Sequence, residues 1–152
     1  MSEKINSKII LLAEDDPDDI YLIGEAIAEC GFDSRICIAQ DGEELLDYLY
    51  HRGKFVNPQD APRPDLILLD LNMPRKDGRE ALEEIKADLN LRTIPVVVLT
   101  TSKSDEDLLI TYDLGASGFV TKPVSFSGLR DSICNIGNYW FTTVKLPEEN
   151  EP

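Results

Sequence analysis

Acidic residues follow two apolar segments of the chain. Glu14 and Asp15 come directly after residues 9–13, and Asp70 closes the segment 65–70. Parallel strands bring their carboxyl ends to one edge of a sheet, so we expect these three carboxylates to meet in one crevice. Crowded carboxylates repel one another, and a bound divalent cation relieves the repulsion. Mg²⁺ is the expected ion because it takes oxygen ligands, keeps several waters and binds beside phosphate.

Two more strand ends add groups of complementary chemistry. Thr100 and Thr101 follow one apolar segment, and Lys122 and Pro123 follow another. A hydroxyl, an ammonium and a metal ion can together stabilise the charged oxygens of a phosphoryl group. A carboxylate can carry that group as a covalent intermediate. These residue types therefore predict phosphoryl transfer onto Asp70, with Lys122 and the Thr100 hydroxyl contacting the phosphoryl oxygens.

The elements that must position these groups alternate between strand and helix. Strands are predicted at residues 8–13, 34–39, 65–70, 94–99 and 117–121, with helices starting near Pro17, Asp41, Ser104 and Ser125 and another around Leu82. Asp107 is placed to form a capping box with Ser104, and the last helix is predicted to reach Phe141. The alternation predicts an α/β fold, a doubly wound parallel sheet with helices on both faces.

The composition limits the possible partners. The chain has 152 residues and 42% hydrophobic content, enough for one domain with a substantial core. Its 29 acidic residues outnumber 15 basic ones, for a formal charge of -14, and no basic cluster stands out. We therefore expect no binding to nucleic acid or anionic lipid. No apolar run reaches membrane-spanning length, and the N-terminus lacks the apolar segment of a signal peptide.

The three cysteines are predicted to be reduced core residues. Cys30, Cys37 and Cys134 are widely spaced and lie in apolar-patterned segments. Free cysteine behaves as a small buried hydrophobe, and disulfides are rare in the cytosol. The expected setting is therefore cytoplasmic. The single histidine, His51, is expected at the surface.

Four motifs at the strand ends resemble one family. They are Leu11-Leu12-Ala13-Glu14-Asp15-Asp16, Leu68-Leu69-Asp70-Leu71-Asn72-Met73-Pro74 with Asp77-Gly78, Val97-Val98-Leu99-Thr100-Thr101-Ser102, and Gly118-Phe119-Val120-Thr121-Lys122-Pro123. In this order they resemble the receiver domain of two-component response regulators, which has a flavodoxin-like fold of five strands and five helices. The resemblance covers residues 8–138. It leaves a short arm at 1–7 and an extension at 139–152.

The resemblance implies a role for each matching residue. Asp70 is the expected phosphoacceptor, phosphorylated by a sensor histidine kinase. Asp15, Asp70 and the backbone carbonyl of Asn72 are the expected ligands of Mg²⁺ or Mn²⁺, with Glu14 acting through a water. Lys122 is the expected phosphate-pairing lysine.

Further roles fall on neighbouring positions. Thr100 and Phe119 are the expected switch pair, through which phosphorylation changes the face formed by the fourth helix, fifth strand and last helix. Thr101 is an auxiliary residue, Ser102 flanks the expected path of the hydrolytic water, and the bond before Pro123 is expected to be cis.

Two positions depart from the usual pattern of the family. Phe119 stands where Tyr is common, so no hydroxyl is available there, and a purely core role for this ring stays open. Glu14 stands where Asp is common, and its extra methylene favours a contact through water. Asp18 and Asp19 are interpreted as helix-start acids that the helix dipole favours.

The C-terminal segment indicates a narrower resemblance and a self-association surface. The Glu14-Asp15 order, the Thr100-Thr101 pair and residues 139–147 resemble the single-domain regulators of cyanobacterial and bacterial phytochromes. That branch implies a phytochrome kinase as partner and dimer contacts in this region. Three consecutive aromatic rings cannot all face one core. The predicted homodimer residues are Tyr139, Trp140, Phe141, Val144 and Leu146; an extended core stripe is the alternative.

Other functions fit the residues less well. A regulator without an output domain signals through protein contact, or else passes phosphate along a phosphorelay. An Asp-nucleophile phosphohydrolase needs a second Asp two residues after the nucleophile, where this chain has Asn72. We therefore expect no enzyme activity beyond the protein's own phosphorylation and dephosphorylation. A flavin domain needs a phosphate loop after the first strand, where Glu14, Asp15 and Asp16 would repel phosphate.

Overall fold

A computed structural model describes residues 7–147 of the chain. Its parallel strands are β1 (Lys8–Ala13), β2 (Ser34–Ala39), β3 (Leu66–Leu69), β4 (Val96–Thr100) and β5 (Gly118–Thr121). They form one sheet in the order β2-β1-β3-β4-β5. The α-helices within these residues are α1 (Pro17–Glu29), α2 (Gly42–Tyr50), α3 (Gly78–Ala87), α4 (Asp105–Asp113) and α5 (Phe126–Asn138). The predicted flavodoxin-like fold is confirmed.

Parts of the two predicted terminal segments fall outside this range. Residues 1–6 of the expected N-terminal arm lie outside the described residues, and only Ser7 of that arm is described. The acidic end after Pro147 also lies outside them. Between those limits, no helix combines the length and the apolar character that crossing a bilayer requires.

The strand register sets the level at which the acidic residues leave the sheet. Ala13 pairs with Leu69, and Leu69 pairs with Val98. The backbone N–H of Asp70 continues the ladder, because it donates to the carbonyl of Ala13 at 3.0 Å. Every residue of β3 is buried, as is the last part of β1. Glu14 and Asp70 are therefore fixed side by side by two buried strands.

Two hydrophobic cores cover the faces of the sheet. Leu11 and Ala13 of β1 face the core under α2 and α3, whereas Ile10 and Leu12 face the core under α1 and α5. This alternation follows from the period of two in a strand. Helices contribute apolar stripes to the two cores: Leu45, Leu46, Ala81, Leu82 and Ile85 on one side, and Ile23, Ala26, Ile27, Leu129 and Ile133 on the other.

The predicted start of α4 is confirmed, but its capping box is wrong. The Ser104 hydroxyl accepts from the backbone N–H of Asp107 at 3.2 Å. The Asp107 carboxylate does not return to the backbone of Ser104. It binds the Ser102 hydroxyl and the Arg79 guanidinium instead, because a charged donor forms the stronger hydrogen bond.

Helix α5 ends earlier than predicted. Its α-helical part stops at Asn138, and a π-helical turn follows at Tyr139–Thr143. Val144 closes that turn by donating its backbone N–H to Tyr139 at 3.0 Å. Phe141 lies edge-on to Phe32 with ring centroids 5.7 Å apart. The wider turn therefore accompanies packing of the extension onto its own chain.

The prediction of three reduced cysteines is wrong for two of them. Cys30 and Cys134 form a disulfide that joins the end of α1 to α5, while Cys37 is free and half-buried. The two cysteines are 104 residues apart in the sequence, but helix packing brings their Cα atoms to 5.3 Å. Apolar patterning reveals burial and not which helices touch. The expectation of a cytoplasmic setting thus loses the support of reduced cysteines.

Candidate functional site

Three carboxylates lie together at the carboxyl edge of the sheet. Carboxylate oxygens of Glu14, Asp15 and Asp70 are all within 4.8 Å of one another. Glu14 and Asp70 are buried at 1% and 7% exposure, and Asp15 is exposed. Burial raises the pKa of Glu14 to about 7, and the negative charge of Asp70 acts in the same direction. The cluster therefore carries an electrostatic cost that a cation can relieve.

The donor set suits a hard divalent cation. All three side chains offer carboxylate oxygens, and the exposed Asp15 leaves one side open for the waters that Mg²⁺ keeps. Asn72 is exposed two residues after Asp70, and its backbone N–H donates to Asp70 Oδ1 at 3.4 Å. No soft sulfur or imidazole ligand belongs to the cluster. The residues present thus fit Mg²⁺ or Mn²⁺.

Lys122 places its positively charged ammonium group in the site. Its side chain is 9% exposed, and its Nζ lies 2.6 Å from Glu14 Oε1 and 2.8 Å from Asp19 Oδ2. Burial lowers the pKa of Lys122, but the hydrogen bonds to Asp19 and Glu14 outweigh this and raise it overall. Within residues 7–147, Lys122 makes no ion pair with Asp70. It pairs with the carboxylates around the phosphoacceptor candidate instead.

Asp19 is a site residue that the sequence interpretation missed. It was expected to be a helix-start acid, and it does stand in the first turn of α1. Its carboxylate nevertheless reaches across to Lys122. One signal was available, since the first turn of α1 begins at the same sheet edge as the cluster. Asp18 keeps the simpler role, because it is exposed and its backbone N–H donates to the capping side chain of Asp16.

Thr100 lies at the end of β4 with no exposed surface. Its Oγ1 accepts from the backbone N–H of Ser102 at 3.4 Å, and its carbonyl accepts from the N–H of Lys122 at 2.7 Å. Thr101 is exposed. Phe119 is half-buried in β5 and packs against the core under α2 and α3. Thr100 and Phe119 thus lie on the neighbouring strands β4 and β5, and their switching role stays a prediction.

The structure also bears on the predictions for Pro123 and Ser102, which lie next to the site. The Lys122–Pro123 peptide bond is trans, so the predicted cis bond is wrong. That expectation rested on resemblance alone, and trans is the lower-energy isomer of an X–Pro bond. Ser102 does stand beside the site, but its hydroxyl donates to Asp107 Oδ2 at 2.7 Å. This contact connects the site to α4.

The predicted dimer residues divide into two groups. Tyr139 is 50% exposed. Trp140 and Phe141 are half-buried against the core under α1 and α5, and Val144 and Leu146 are also half-buried. Gly137 leaves room for Phe32, since any Cβ there would collide with that ring. The extended-core alternative therefore describes Trp140 and Phe141, and Tyr139 is the aromatic ring of this segment that projects outward.

The fold and the acidic pocket define a class of signalling protein. The family model for the response regulator receiver domain matches residues 10–134, and the chain belongs to this family. Receiver domains bind Mg²⁺ at an acidic pocket and signal through phosphorylation.

The chain is similar to several named response regulators over most of its length. Response regulator Rcp1 of Synechocystis sp. is 41% identical over 148 residues, covering 97% of this chain and 99% of that protein. A crystal structure of its Mn²⁺-bound form has a TM-score of 0.84 at 40% identity and covers 93% of this chain and 99% of the other. The phosphorylated cyanobacterial phytochrome response regulator RcpA is 44% identical, with a TM-score of 0.87 and coverage of 93% and 99%. The probable methanogenesis regulatory protein FilR2 of Methanothrix harundinacea is 44% identical over 140 residues, covering 91% and 87%.

Proposed function

We propose that Asp70 accepts a phosphoryl group from the phosphohistidine of a sensor kinase. A carboxylate oxygen of Asp70 attacks the phosphorus, the new O–P bond forms, the P–N bond to the imidazole breaks, and the imidazole leaves with the electron pair. The observation that carries this proposal is the convergence of Glu14, Asp15, Asp70 and Lys122 at one edge of the sheet. Transfer of this kind depends chiefly on positioning and on neutralising charge.

The proposed ligands of the divalent cation are Asp15, Asp70 and the Asn72 carbonyl, with Glu14 acting through a water. When bound, the ion would neutralise charge on the phosphoryl oxygens. Lys122 would bind one of these oxygens, and the buried Thr100 hydroxyl would bind another after releasing the N–H of Ser102. Moving Thr100 vacates space beside Phe119, which couples the charge change to α4, β5 and α5.

The protein would catalyse only its own phosphorylation and dephosphorylation. Asn72 supplies no general acid where a phosphohydrolase of the Asp-nucleophile type needs one. The proposed kinase is a phytochrome, a partner supported by the name of RcpA, and such a kinase implies a cytoplasmic location. A phosphate-shuttling or phosphate-sink role in a phosphorelay uses the same chemistry. The similarity to FilR2 favours testing kinases other than phytochromes as well.

We propose a receiver unit at residues 8–138 that pairs with a second copy through α5 and its aromatic extension, with Tyr139, Trp140, Phe141, Val144 and Leu146 as the candidate contacts. The half-exposed Tyr139 supports this, since large exposed aromatics are common anchors of interfaces. Sedimentation equilibrium should show a dimer at micromolar concentration that Tyr139→Ala weakens. Tyr21→Ala is the matched control, because Tyr21 is 65% exposed on α1. A monomer under all conditions, with or without a phosphoryl analogue, would make the extension purely a packing element.

Phosphorylation of the purified protein tests the function itself. The protein is incubated with acetyl phosphate or a phosphorylated histidine kinase in Mg²⁺, and intact mass and hydroxylamine lability are measured. We expect one acid-stable, hydroxylamine-labile phosphoryl group, abolished by Asp70→Asn and by EDTA. Asp113→Asn, at the exposed end of α4, controls for the loss of one acidic group. Equal labelling of Asp70→Asn, or full labelling in EDTA, would contradict the assignment.

A further inference from the structure

Asp19 holds Lys122 in a defined place within the pocket. The ammonium of Lys122 lies between two carboxylates, 2.6 Å from Glu14 and 2.8 Å from Asp19. Its side chain is only 9% exposed, so these carboxylates replace most of its water. Glu14 directly follows β1 and Asp19 belongs to α1, so the ammonium is held by groups from two different elements.

This arrangement has a consequence for phosphoryl binding. A lysine ammonium has three donors, and Glu14 and Asp19 take two of them. Within the described part of the chain, none of the ion pairs of Lys122 is to Asp70. A phosphoryl group on Asp70 must therefore draw the ammonium toward itself, against the attraction of Asp19.

We infer that Asp19 is a positioning residue that competes with the phosphoryl group for the Lys122 ammonium. The inference rests on the proposed function of Asp70. Asp19 holds Lys122 on the Glu14 side of the pocket while Asp70 is unphosphorylated, and it releases or shares the ammonium when a phosphoryl group is present. It thereby sets how strongly the pocket binds that group, although within residues 7–147 it forms no hydrogen bond with Asp70 or with the expected metal ligand Asp15.

Asp18 provides a closely matched control. It is the adjacent residue in the same helical turn and carries the same charge, but it is exposed and Lys122 pairs with Asp19. Asp18→Asn and Asp19→Asn change the net charge equally at nearly the same place. A difference between the two variants therefore reports the contact with Lys122 and not the overall acidity of the protein.

The test is the affinity for beryllofluoride, a phosphoryl analogue, measured by ¹⁹F NMR in Mg²⁺ on the full chain. Asp19→Asn should bind it about three- to tenfold more tightly than the wild type, the size expected for one partly exposed ion pair. Asp18→Asn should stay within about twofold, because long-range effects of one surface charge are screened by salt. Asp19→Glu should restore an affinity near the wild type. Thermal unfolding of every variant establishes that each is folded.

Repeating the measurement in the Lys122→Ala variant tests whether the effect of Asp19→Asn acts through Lys122. In Lys122→Ala, adding Asp19→Asn should change the affinity by less than about twofold, because the contact is already absent. The inference is overturned if Asp19→Asn matches Asp18→Asn, if it binds more weakly than the wild type, or if its effect persists without Lys122. A wild type that binds no beryllofluoride, or an Asp70→Asn variant that binds it equally well, would overturn the proposed function and this inference with it.

Discussion

Helices α3 and α4 follow neighbouring strands of the sheet but pack against it very differently. Helix α3 buries Ala81, Leu82 and Ile85 in the core. In α4 the buried residue is Thr111, whose hydroxyl bonds to the carbonyls of Asp107 and Leu108 within its own helix. The apolar side chains of α4 are partly or largely exposed instead: Leu109 and Tyr112 at 64% and 48%, and Leu108 and Ile110 at 38% and 36%.

The two helices therefore differ in how much apolar side chain each buries against the sheet. The carboxylates stand on buried strands and α3 closes the loop after Asp70, so this end of the molecule keeps its geometry. Helix α4 can shift at little cost in buried apolar area, which is the property expected of an element that moves in signalling. Its exposed apolar residues then supply a surface on which a partner could distinguish two positions of the helix.

The largest expected contrast is in stability. Leu82→Ala should lower the free energy of unfolding by about 2–5 kcal/mol, because it opens a cavity in the core under α3. Leu109→Ala on α4 should change it by no more than about 0.5 kcal/mol, as usual for an exposed site. Urea unfolding monitored by circular dichroism measures both. Equal losses would mean that α4 is held as firmly as α3, and the comparison would fail.

The free energy of unfolding should depend on pH through Glu14 in the carboxylate cluster, and a divalent cation should remove this dependence. The folded protein raises the pKa of Glu14 from 4.5 to about 7, so it binds that proton more tightly than the unfolded chain. The free energy of unfolding should therefore fall as pH rises from 4.5 to about 7, on the order of 2–3 kcal/mol in the absence of metal.

Mg²⁺ should offset this loss by replacing the proton as the compensating charge. Glu14→Gln should show a much flatter profile between the same pH values, since its side chain does not titrate. Urea unfolding at several pH values, with EDTA or with Mg²⁺, tests both statements. A wild-type profile that matches Glu14→Gln would show that burial does not disfavour the Glu14 carboxylate.

A smaller effect is expected at the contact between the two helices. Arg79 of α3 donates to Asp107 Oδ1 at 2.8 Å, and Ser102 donates to Oδ2 of the same carboxylate at 2.7 Å. Asp107→Asn should cost about 1 kcal/mol and increase hydrogen exchange mainly in α4. Glu84→Gln is the control, because it removes the 2.7 Å ion pair with Lys76, which does not involve α4.

The sign of the pH effect at this contact is opposite to that of Glu14. Hydrogen bonds from Ser102 and Arg79 lower the pKa of Asp107 below 3.8. Its stabilising contribution is therefore complete at neutral pH and is lost as pH falls through the lowered pKa. Faster exchange in α4 for Glu84→Gln than for Asp107→Asn would show that Asp107 does not restrain this helix.

The sequence predicted the strands and the sheet edge well because both depend on local patterns. Strands β1 and β2 have the predicted limits, and Glu14, Asp15 and Asp70 meet because parallel strands leave the sheet together. The missed features depend on contacts between distant segments. The position of Asp19 in the first turn of α1 places it at the correct edge of the sheet, but no local pattern shows that its carboxylate pairs with Lys122 or that Cys30 meets Cys134.

The sequence pattern also did not predict that the apolar residues of α4 are exposed. The sequence predicts that a helix starts at Ser104, but it does not show that Leu109 is 64% exposed. Periodicity predicts which residues share a face, and it does not say how deeply that face is buried. Similarly, the three aromatic rings of the extension indicated more than one direction, but only the structure shows that Phe141 meets Phe32.

The most direct test of a fixed site that controls a loosely packed helix is an amide NMR comparison of the protein with and without beryllofluoride in Mg²⁺. We predict shift changes at Asp70 and Thr100 that continue through Phe119 into α4, together with faster hydrogen exchange in α4 than in α3. Asp70→Asn should show neither response. Shift changes confined to the residues around Asp70, with α4 unaffected, would contradict a coupling between the site and this helix.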